Sequence, residues 1–522
     1  MAEVPPPSTT QLPAVPRNER FDVLAPRVPL ADLGVVHVLA AGGAGMSAIV
    51  RLLLDAGVEV RGSDAHDSPL LERLRERGAT IWVGHDPEHL DGADTVVVSS
   101  AIREDNPELA AARSRGLRVL HRSQALASAM GEQTRVAVAG ANGKTTTSGM
   151  LTAALQHSGA DPAYVLGSPL TTPDGTGTNA APGSGPFVVE ADESDGSFLT
   201  YRPDVAVVTN IKPDHLDFYG DLATIEATFA RFAGTIGEGG LLVAAADDPG
   251  AVALAATHEA VGGAVVTFGT DEDADVRLTD LRPDAMTATA QVTWQRDVVP
   301  VGGRDVGTGD VLGGGAVGGG ATIPAGTART LSVPMPGAHN LANAAAALVA
   351  ATAGLGQDLD AVLAGLAVYP GTHRRFERVG EARGVRVVDD YAHNPDKVTA
   401  VVRAGRGLVD TTGGRLAVIF QPHLFTRTRD FAKEFAAGLS AADLVVLMDI
   451  YAAREDPLEG VSGATIADLV EGPEVHFVAD RAAVVPTVAA WVREGDLVLT
   501  VGAGDVTELG APLVAAIAEG RR

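Results

Sequence analysis

The sequence predicts an α/β chain of three domains, Rossmann-like at both ends with a P-loop-type domain between them. Three observations carry this. Short β-prone apolar runs alternate with stretches of helical periodicity along most of the chain. Those runs end in glycine-rich or charged loops, as in parallel sheets that take ligands at their carboxyl edge. A length of 522 residues suits about three domains of ~150 residues each. The expected division is a disordered Pro-rich tail at 1–30, then folded units at 31–131, 132–370 and 371–522.

Composition narrows the function classes. The chain has 40 Lys and Arg against 66 Asp and Glu, a formal charge of −26. That argues against nucleic acid or an anionic membrane as the main partner. There is no cysteine, so neither disulfides nor a thiolate metal site can form. No apolar run approaches the ~20 residues needed to span a bilayer. The start, MAEVPPPSTTQLPAVPRNER, lacks the basic opening and apolar core of a signal peptide. The expectation is a cytoplasmic protein, monomer or homodimer, with no membrane partner.

In the first unit, Val35 to Leu39 reads as a strand followed by a glycine turn and a helix. The turn carries Gly42, Gly43, Gly45 and Met46. Val58 to Val60 reads as the next strand, ending in Gly62-Ser63-Asp64. Asp64 stands about 20 positions after the glycines, where a ribose hydroxyl is usually met. Ala40 occupies the place of the first glycine of that fingerprint. Thr95 to Val98 is a further strand, delivering Ser99 and Ser100 to the same edge. A diphosphate-bearing nucleotide fits there; so would a nicotinamide cofactor.

The second unit opens on RVAVAGANGKTTT, residues 135 to 147. Arg135 to Ala139 is a strand, Gly140-Ala141-Asn142-Gly143 a loop, and Lys144, Thr145 and Thr146 begin a helix. Backbone N–H groups at a helix N-terminus hold phosphate oxygens, a lysine adds a point charge, and a hydroxyl serves Mg²⁺. Two residues separate the first glycine from Gly-Lys, where the usual P-loop has about four. Leu166 to Gly185 reads as a mobile surface loop. Phe187 to Val189 is a strand that delivers Glu190, Asp192, Glu193 and Asp195. Such a cluster is often a solvated loop, but one crossover after a phosphate loop a Mg²⁺-binding carboxylate is required. Val205 to Val208 leads to His215, between Asp214 and Asp217, with the composition of a second cation or phosphate contact.

Residues 270 to 330 read as short strands around a glycine-dense loop, Gly302 to Thr327, expected to be an elaboration without chemistry. An alanine-rich helix follows, with His339, Asn340 and Asn343 on one face of its first turn. Asn340 could simply cap it. In the third unit, strand-loop-helix repeats bring Arg374, Arg375, Asp390, Tyr391, His393, His423 and Arg427 to strand ends. Ionisable groups of that kind at a sheet's carboxyl edge mark a binding site.

GGAGMSAI at 42–49, SSAI at 99–102, EADESDGSF at 190–198, RRFE at 374–377, DDYAHNP at 389–395, QPHLFTRTRDF at 421–431 and DIYAARE at 449–455 resemble the Mur ligase family. These are the ATP-dependent amino-acid ligases of peptidoglycan synthesis. The resemblance runs from about Val35 to Asp505. It implies a Rossmann-like domain for a UDP-sugar, a central P-loop-type ATPase domain, and a Rossmann-like domain for the amino acid. The substrates implied are UDP-N-acetylmuramate and L-alanine, joined through an acyl phosphate, with ATP and Mg²⁺ as cofactors.

The resemblance also implies roles. Lys144, Glu190, His215 and Arg374 would be catalytic, and Thr145, Glu190 and His215 would hold metal. Residues 140–146, His339, Asn340, Asn343, Asp390 and Tyr391 would bind ATP. Gly42, Gly43, Gly45, Met46, Asp64, Ser99 and Ser100 would bind the UDP-sugar, and His393, His423 and Arg427 would line the amino-acid side. The chain departs from the family at Ala40, Ala141-Asn142, Lys212-Pro213, Ala338 and Leu424. The rival readings are a relative that attaches a preformed peptide, a silent binding protein, and a nicotinamide oxidoreductase.

Overall fold

The computed structural model describes residues 20–171, 177–283, 286–301, 320–453 and 455–520. Three sheets organise it. The first contains β1 (Val36–Leu39), β2 (Val60–Asp64), β3 (Thr80–Val83), β4 (Thr95–Val98) and β5 (Arg118–His121). Its order is β3-β2-β1-β4-β5, parallel throughout. The order reverses between β1 and β4, so the glycine turn and Ser99 leave the sheet at its switch point. Sequence placed the second strand at Val58 to Val60; it runs instead through Gly62 to Asp64. A Cβ on Gly62 would lie 2.7 Å from the Val38 carbonyl, so glycine there marks close strand packing and not a break.

The second sheet contains β6 (Arg135–Ala139), β7 (Ala163–Val165), β8 (Ala180–Ala181), β9 (Phe187–Glu190), β10 (Val205–Val208), β11 (Leu241–Ala245) and β12 (Ala264–Gly269). It continues with β13 (Val276–Arg282), β14 (Ala288–Trp294) and β15 (Ala328–Val333). The order is β15-β14-β13-β12-β11-β10-β6-β9-β7-β8. β6 lies between β9 and β10, parallel to both. Three loops therefore leave one sheet edge side by side. They carry residues 140–143, 191–196 and 209–215.

The third sheet contains β16 (Glu377–Ala382), β17 (Val385–Asp390), β18 (Leu416–Phe420), β19 (Leu444–Leu447), β20 (Glu474–Phe477) and β21 (Leu497–Val501). Its order is β16-β17-β21-β18-β19-β20, with only β16 antiparallel to its neighbour. The central strands of all three sheets are buried but for Arg135 at the start of β6, because helices cover both faces of parallel sheets. Among the described residues, no helix is long and apolar enough to cross a membrane.

Three expectations change in the described residues. Residues 1–19 lie outside them, but the end of the expected tail is packed: Phe21 is buried against His121, with ring centroids 5.2 Å apart. The stretch Leu166 to Gly185 is not simply a surface loop. Leu166, Leu170 and Asn179 are buried, and Leu170 bridges to Thr372. Leu170 thus ties the stretch to the C-terminal domain, and Asn179, which accepts from Arg51 at 2.5 Å, ties it to the N-terminal one, which local composition does not report; residues 172–176 lie outside the described residues. Of the glycine-dense loop, 302–319 lie outside the described residues, while buried Ile323 bridges to Val298.

Candidate active site between three domains

The phosphate loop follows β6 and turns into the helix Lys144–His157. Gly140 has φ +131°, and a Cβ there would sit 2.3 Å from Thr209 Oγ1. Gly143 has φ +88°, and its Cβ would sit 2.4 Å from Asn343 Oδ1. Only glycine meets both demands. The loop between them is tied to β10's end. Thr209 Oγ1 donates to the Asn142 carbonyl at 2.6 Å, and Asn142 N donates to Asn210 Oδ1 at 3.0 Å. From the other side, Thr147 donates to Asn343 at 3.3 Å, Asn343 to Asn340 at 3.4 Å, and Asn340 to the Pro336 carbonyl at 2.7 Å. Gly337 is the N-cap of that helix, so Asn340 is no cap. The two asparagines brace the phosphate loop, while His339 is exposed beside them.

Lys144 Nζ donates to the Gly140 carbonyl at 2.7 Å and to Glu193 Oε1 at 2.9 Å. Burial disfavours its ammonium, but Glu193, Asp192 and Glu190 outweigh that and raise its pKa. Glu193 is itself buried, and that burial pushes its carboxyl up despite Lys144. Burial also acts on Asp192, yet Arg122 and Lys144 hold it well below the usual range. Thr145 Oγ1 donates to Glu190 Oε1 at 3.0 Å, and Gly167 N donates to Glu190 Oε2 at 2.8 Å. A hydroxyl and a carboxylate at a helix N-terminus are hard oxygen donors of the kind Mg²⁺ takes. His215 stands apart from this pair. It precedes the short helix Leu216–Tyr219 at φ +53°, and its Nε2 lies 3.9 Å from its neighbour Asp214. Among the described residues no group of three or more His, Asp or Glu side chains is disposed to hold a metal ion.

The two arginines of RRFE separate. Arg374 was expected to face the transferred phosphoryl group. Its guanidinium instead donates to the Gly502 and Gly504 carbonyls, with Nε 3.3 Å from buried Asp389. Arg375 crosses to the central domain and donates to Thr145 Oγ1 at 3.1 Å. Arg374 has φ +59°, a left-handed turn that sends the two side chains different ways. Both guanidiniums lie over the Tyr391 ring, 4.8 and 5.2 Å from its centroid. Asp390 accepts from the Phe376 and Ala392 amides, each at 2.8 Å, and burial raises its pKa to about 6. It shapes the turn that carries Arg375 and Tyr391.

Beyond Tyr391, His393 Nδ1 lies 2.8 Å from the Tyr391 carbonyl. The His393 and His423 rings lie 6.0 Å apart, and His423 stacks on Tyr451 at 5.9 Å. Arg427 donates to the His393 carbonyl at 3.4 Å. The expected amino-acid side is thus one cluster at the carboxyl ends of β17, β18 and β19.

In the N-terminal domain, Asp64 Oδ2 accepts from Gly42 N at 2.8 Å, so this carboxylate holds the glycine turn in place. Gly43 caps the helix Ala44–Asp55, and Met46 is buried beneath it. Ala40 has φ +54°; the family's glycine position is a left-handed one, which alanine occupies here at some strain. Ser100 Oγ contacts His121 Nε2 at 3.1 Å and donates to Asp195, while Arg122 donates to Asp192 at 2.8 Å. A Cβ on Gly45 would come 3.4 Å from Arg122. Ser99 lies partly exposed at the end of β4. The acidic run after β9 therefore serves two domains at once: Glu190 and Glu193 face the phosphate loop, Asp192 and Asp195 face the N-terminal domain's edge.

Sequence reasoning left Arg375, Glu193, Thr209 and Asn210 without roles. The doubled arginine and the EADES run were visible signals for the first two. Nothing local marks the others.

The fold and the site define a three-domain ligase built around a central phosphate loop. Residues 35–134 match the Mur ligase family catalytic domain, 138–351 the Mur ligase middle domain, and 374–504 the Mur ligase glutamate ligase domain. The chain belongs to the Mur ligase family. It is 52% identical over 495 residues to a UDP-N-acetylmuramate–L-alanine ligase of Kineococcus radiotolerans, covering 94% of this chain and 98% of that one. Among solved structures it is similar to a UDP-N-acetylmuramate–alanine ligase from Thermotoga maritima, with TM-score 0.71 and 28% identity over 92% of this chain and 98% of that one. A murein peptide ligase from Psychrobacter arcticus shares the fold, with TM-score 0.61 and 22% identity over 94% of this chain and 100% of that one.

Proposed function

We infer that this chain joins L-alanine to the lactyl carboxylate of UDP-N-acetylmuramate at the expense of ATP, in peptidoglycan precursor synthesis. The observation that carries this is its 52% identity, over 94% of its length, to a ligase of that name. The site geometry agrees with it. In the first step the lactyl carboxylate attacks the γ-phosphorus, the bond to the β-phosphate bridge breaks, and ADP leaves. In the second, the alanine amine attacks the acyl phosphate carbon and inorganic phosphate departs.

Phosphoryl transfer of this kind asks for positioning and charge neutralisation more than covalent help. The Lys144 ammonium and the N–H groups of residues 140–145 hold the β- and γ-phosphates. Lys144 exchanges its Glu193 contact for phosphate oxygens when nucleotide enters. Thr145 and Glu190 would hold Mg²⁺, which when bound would neutralise phosphate charge. His215, on the loop 209–215 beside the phosphate loop, would face the acceptor carboxylate. Arg375, delivered by the C-terminal domain to Thr145, neutralises the transferred group. The turns at Gly42–Met46 and Ser99–Ser100 hold the UDP-sugar, and His393, His423 and Arg427 line the alanine pocket. ATP and a nucleotide sugar are both drawn from the cytoplasm, where we place the enzyme.

The test is phosphate release from ATP with UDP-N-acetylmuramate present, scanned across L-alanine, glycine, L-serine and a preformed tripeptide. Alanine-dependent release is expected. Release with the tripeptide and none with alanine would overturn the reading in favour of a peptide ligase.

A further inference from the structure

Lys397 lies in the first turn of the helix Pro395–Thr412, where Asn394 is the N-cap and accepts from the Lys397 amide at 2.9 Å. That turn lies against the central domain, where Asp396 Oδ2 comes 3.8 Å from Lys212 Nζ. Among the described residues its ammonium forms neither a hydrogen bond nor an ion pair. Burial, then Lys144 and Arg375, push its pKa down to about 8, and Asp214 and Glu193 offset only part of that. The half-buried His393 stands beside it and feels the same charge.

Three cations thus converge on one point of a chain whose net charge is −26. Lys144 belongs to the phosphate loop, Arg375 touches Thr145 at 3.1 Å, and Lys397 lies near enough to feel the charge of both. A desolvated ammonium next to two other cations is unfavourable unless an anion joins them. Glu193 is already committed to Lys144 at 2.9 Å, and Asp396 on the next position lies 3.8 Å from Lys212. The anion that suits the remaining space is one that enters with the nucleotide.

We propose that Lys397 contacts the phosphoryl group in transit, as a third cation that the C-terminal domain brings to the phosphate loop. The inference rests on the ligase reading above. It makes Lys397, with Arg375, the means by which the C-terminal domain senses a triphosphate. ADP, which lacks the γ-phosphate, would not engage it.

The experiment uses the full chain as wild type, Lys397→Met and Lys397→Arg. Calorimetry compares a non-hydrolysable ATP analogue with ADP, and phosphate release is measured with UDP-N-acetylmuramate and L-alanine. The expected result for Lys397→Met is analogue affinity weakened about tenfold with ADP affinity unchanged, as for loss of one charge-assisted contact. Its kcat should fall on the order of 10²-fold, the scale of one lost transition-state donor, at little-changed KM for alanine. Lys397→Arg should restore most of both. Equal weakening of analogue and ADP, or turnover of a folded Lys397→Met near wild type, would overturn the proposal. Should wild type release no alanine-dependent phosphate, the ligase reading fails, and the ratio of analogue to ADP affinity still decides the role of Lys397.

Discussion

Lys144 and the two arginines at 374 and 375 define the residue scale. Lys144 sits in a glycine loop at a helix N-terminus, and its fold-side partners are one carbonyl and one carboxylate. Lys144→Ala should therefore lower the ligation rate on the order of 10³-fold or more, with a native circular-dichroism spectrum showing that the variant stays folded although buried Glu193 loses its counter-charge. Near-normal turnover in that variant would remove residues 140–147 from the nucleotide site. The arginines make a paired prediction. Arg374 is bound to two carbonyls and to Asp389, whose side chain is 2% exposed. Arg374→Ala should destabilise the C-terminal domain by about 3 kcal/mol, because it strands a buried carboxylate. Arg375→Ala should spare stability and cost turnover. Thermal melts and phosphate release on both variants check this, and the reverse pattern would restore the phosphoryl role to Arg374.

At the scale of an element, the helix Pro107–Ser114 is pinned to the first sheet through Glu108. This side chain is wholly buried, and it accepts from Ser63 and contacts His85 and His89 at 2.8 Å each. Burial alone would raise its pKa, but the His37 imidazole 3.5 Å away and the Ser63 and His85 hydrogen bonds outweigh that and hold it at about 2. A carboxylate with a depressed folded pKa contributes stability that is complete above its ordinary value of 4.5 and is lost as pH falls towards about 2. The contribution is on the order of 3 kcal/mol. Thermal melts between pH 5 and pH 2 should show the N-terminal domain losing stability in this window, and Glu108→Gln should flatten that loss. An unchanged slope in the variant would assign the acid sensitivity to other carboxylates.

The whole molecule is three sheets whose carboxyl edges face one another across the run Glu190–Asp195. Ser100 and Arg122 reach that run from one side, Lys144 lies within it, and Arg375 arrives from the third domain. Closure must assemble such a site, since its parts sit on separate bodies. The same arrangement separates the nucleotide-sugar reading of the first domain from a dinucleotide one. Calorimetry on the full chain should detect UDP-N-acetylmuramate and remain silent with NAD and NADP. Tight NAD binding would reinstate an oxidoreductase.

Much of this was legible in the chain itself. Apolar runs and helical patterns, punctuated by glycine and charge, determined the α/β class and three sheets, because a buried parallel strand must be apolar throughout and must end in a loop. The run at 135–147 determined a phosphate loop for the same local reason: glycines, lysine and threonine act on a backbone they themselves shape. Contacts between domains were decided only by tertiary structure. Nothing adjacent in sequence distinguishes Arg374 from Arg375; a left-handed turn and the carbonyls of residues 502 and 504 do. Asn343 reads as a nucleotide contact until Gly143 is found packed beneath it. Lys397 reads as an ordinary helix residue until the fold sets it beside Lys144 and Arg375. Charge acts through space, and residues hundreds of positions apart become neighbours only when the chain has folded.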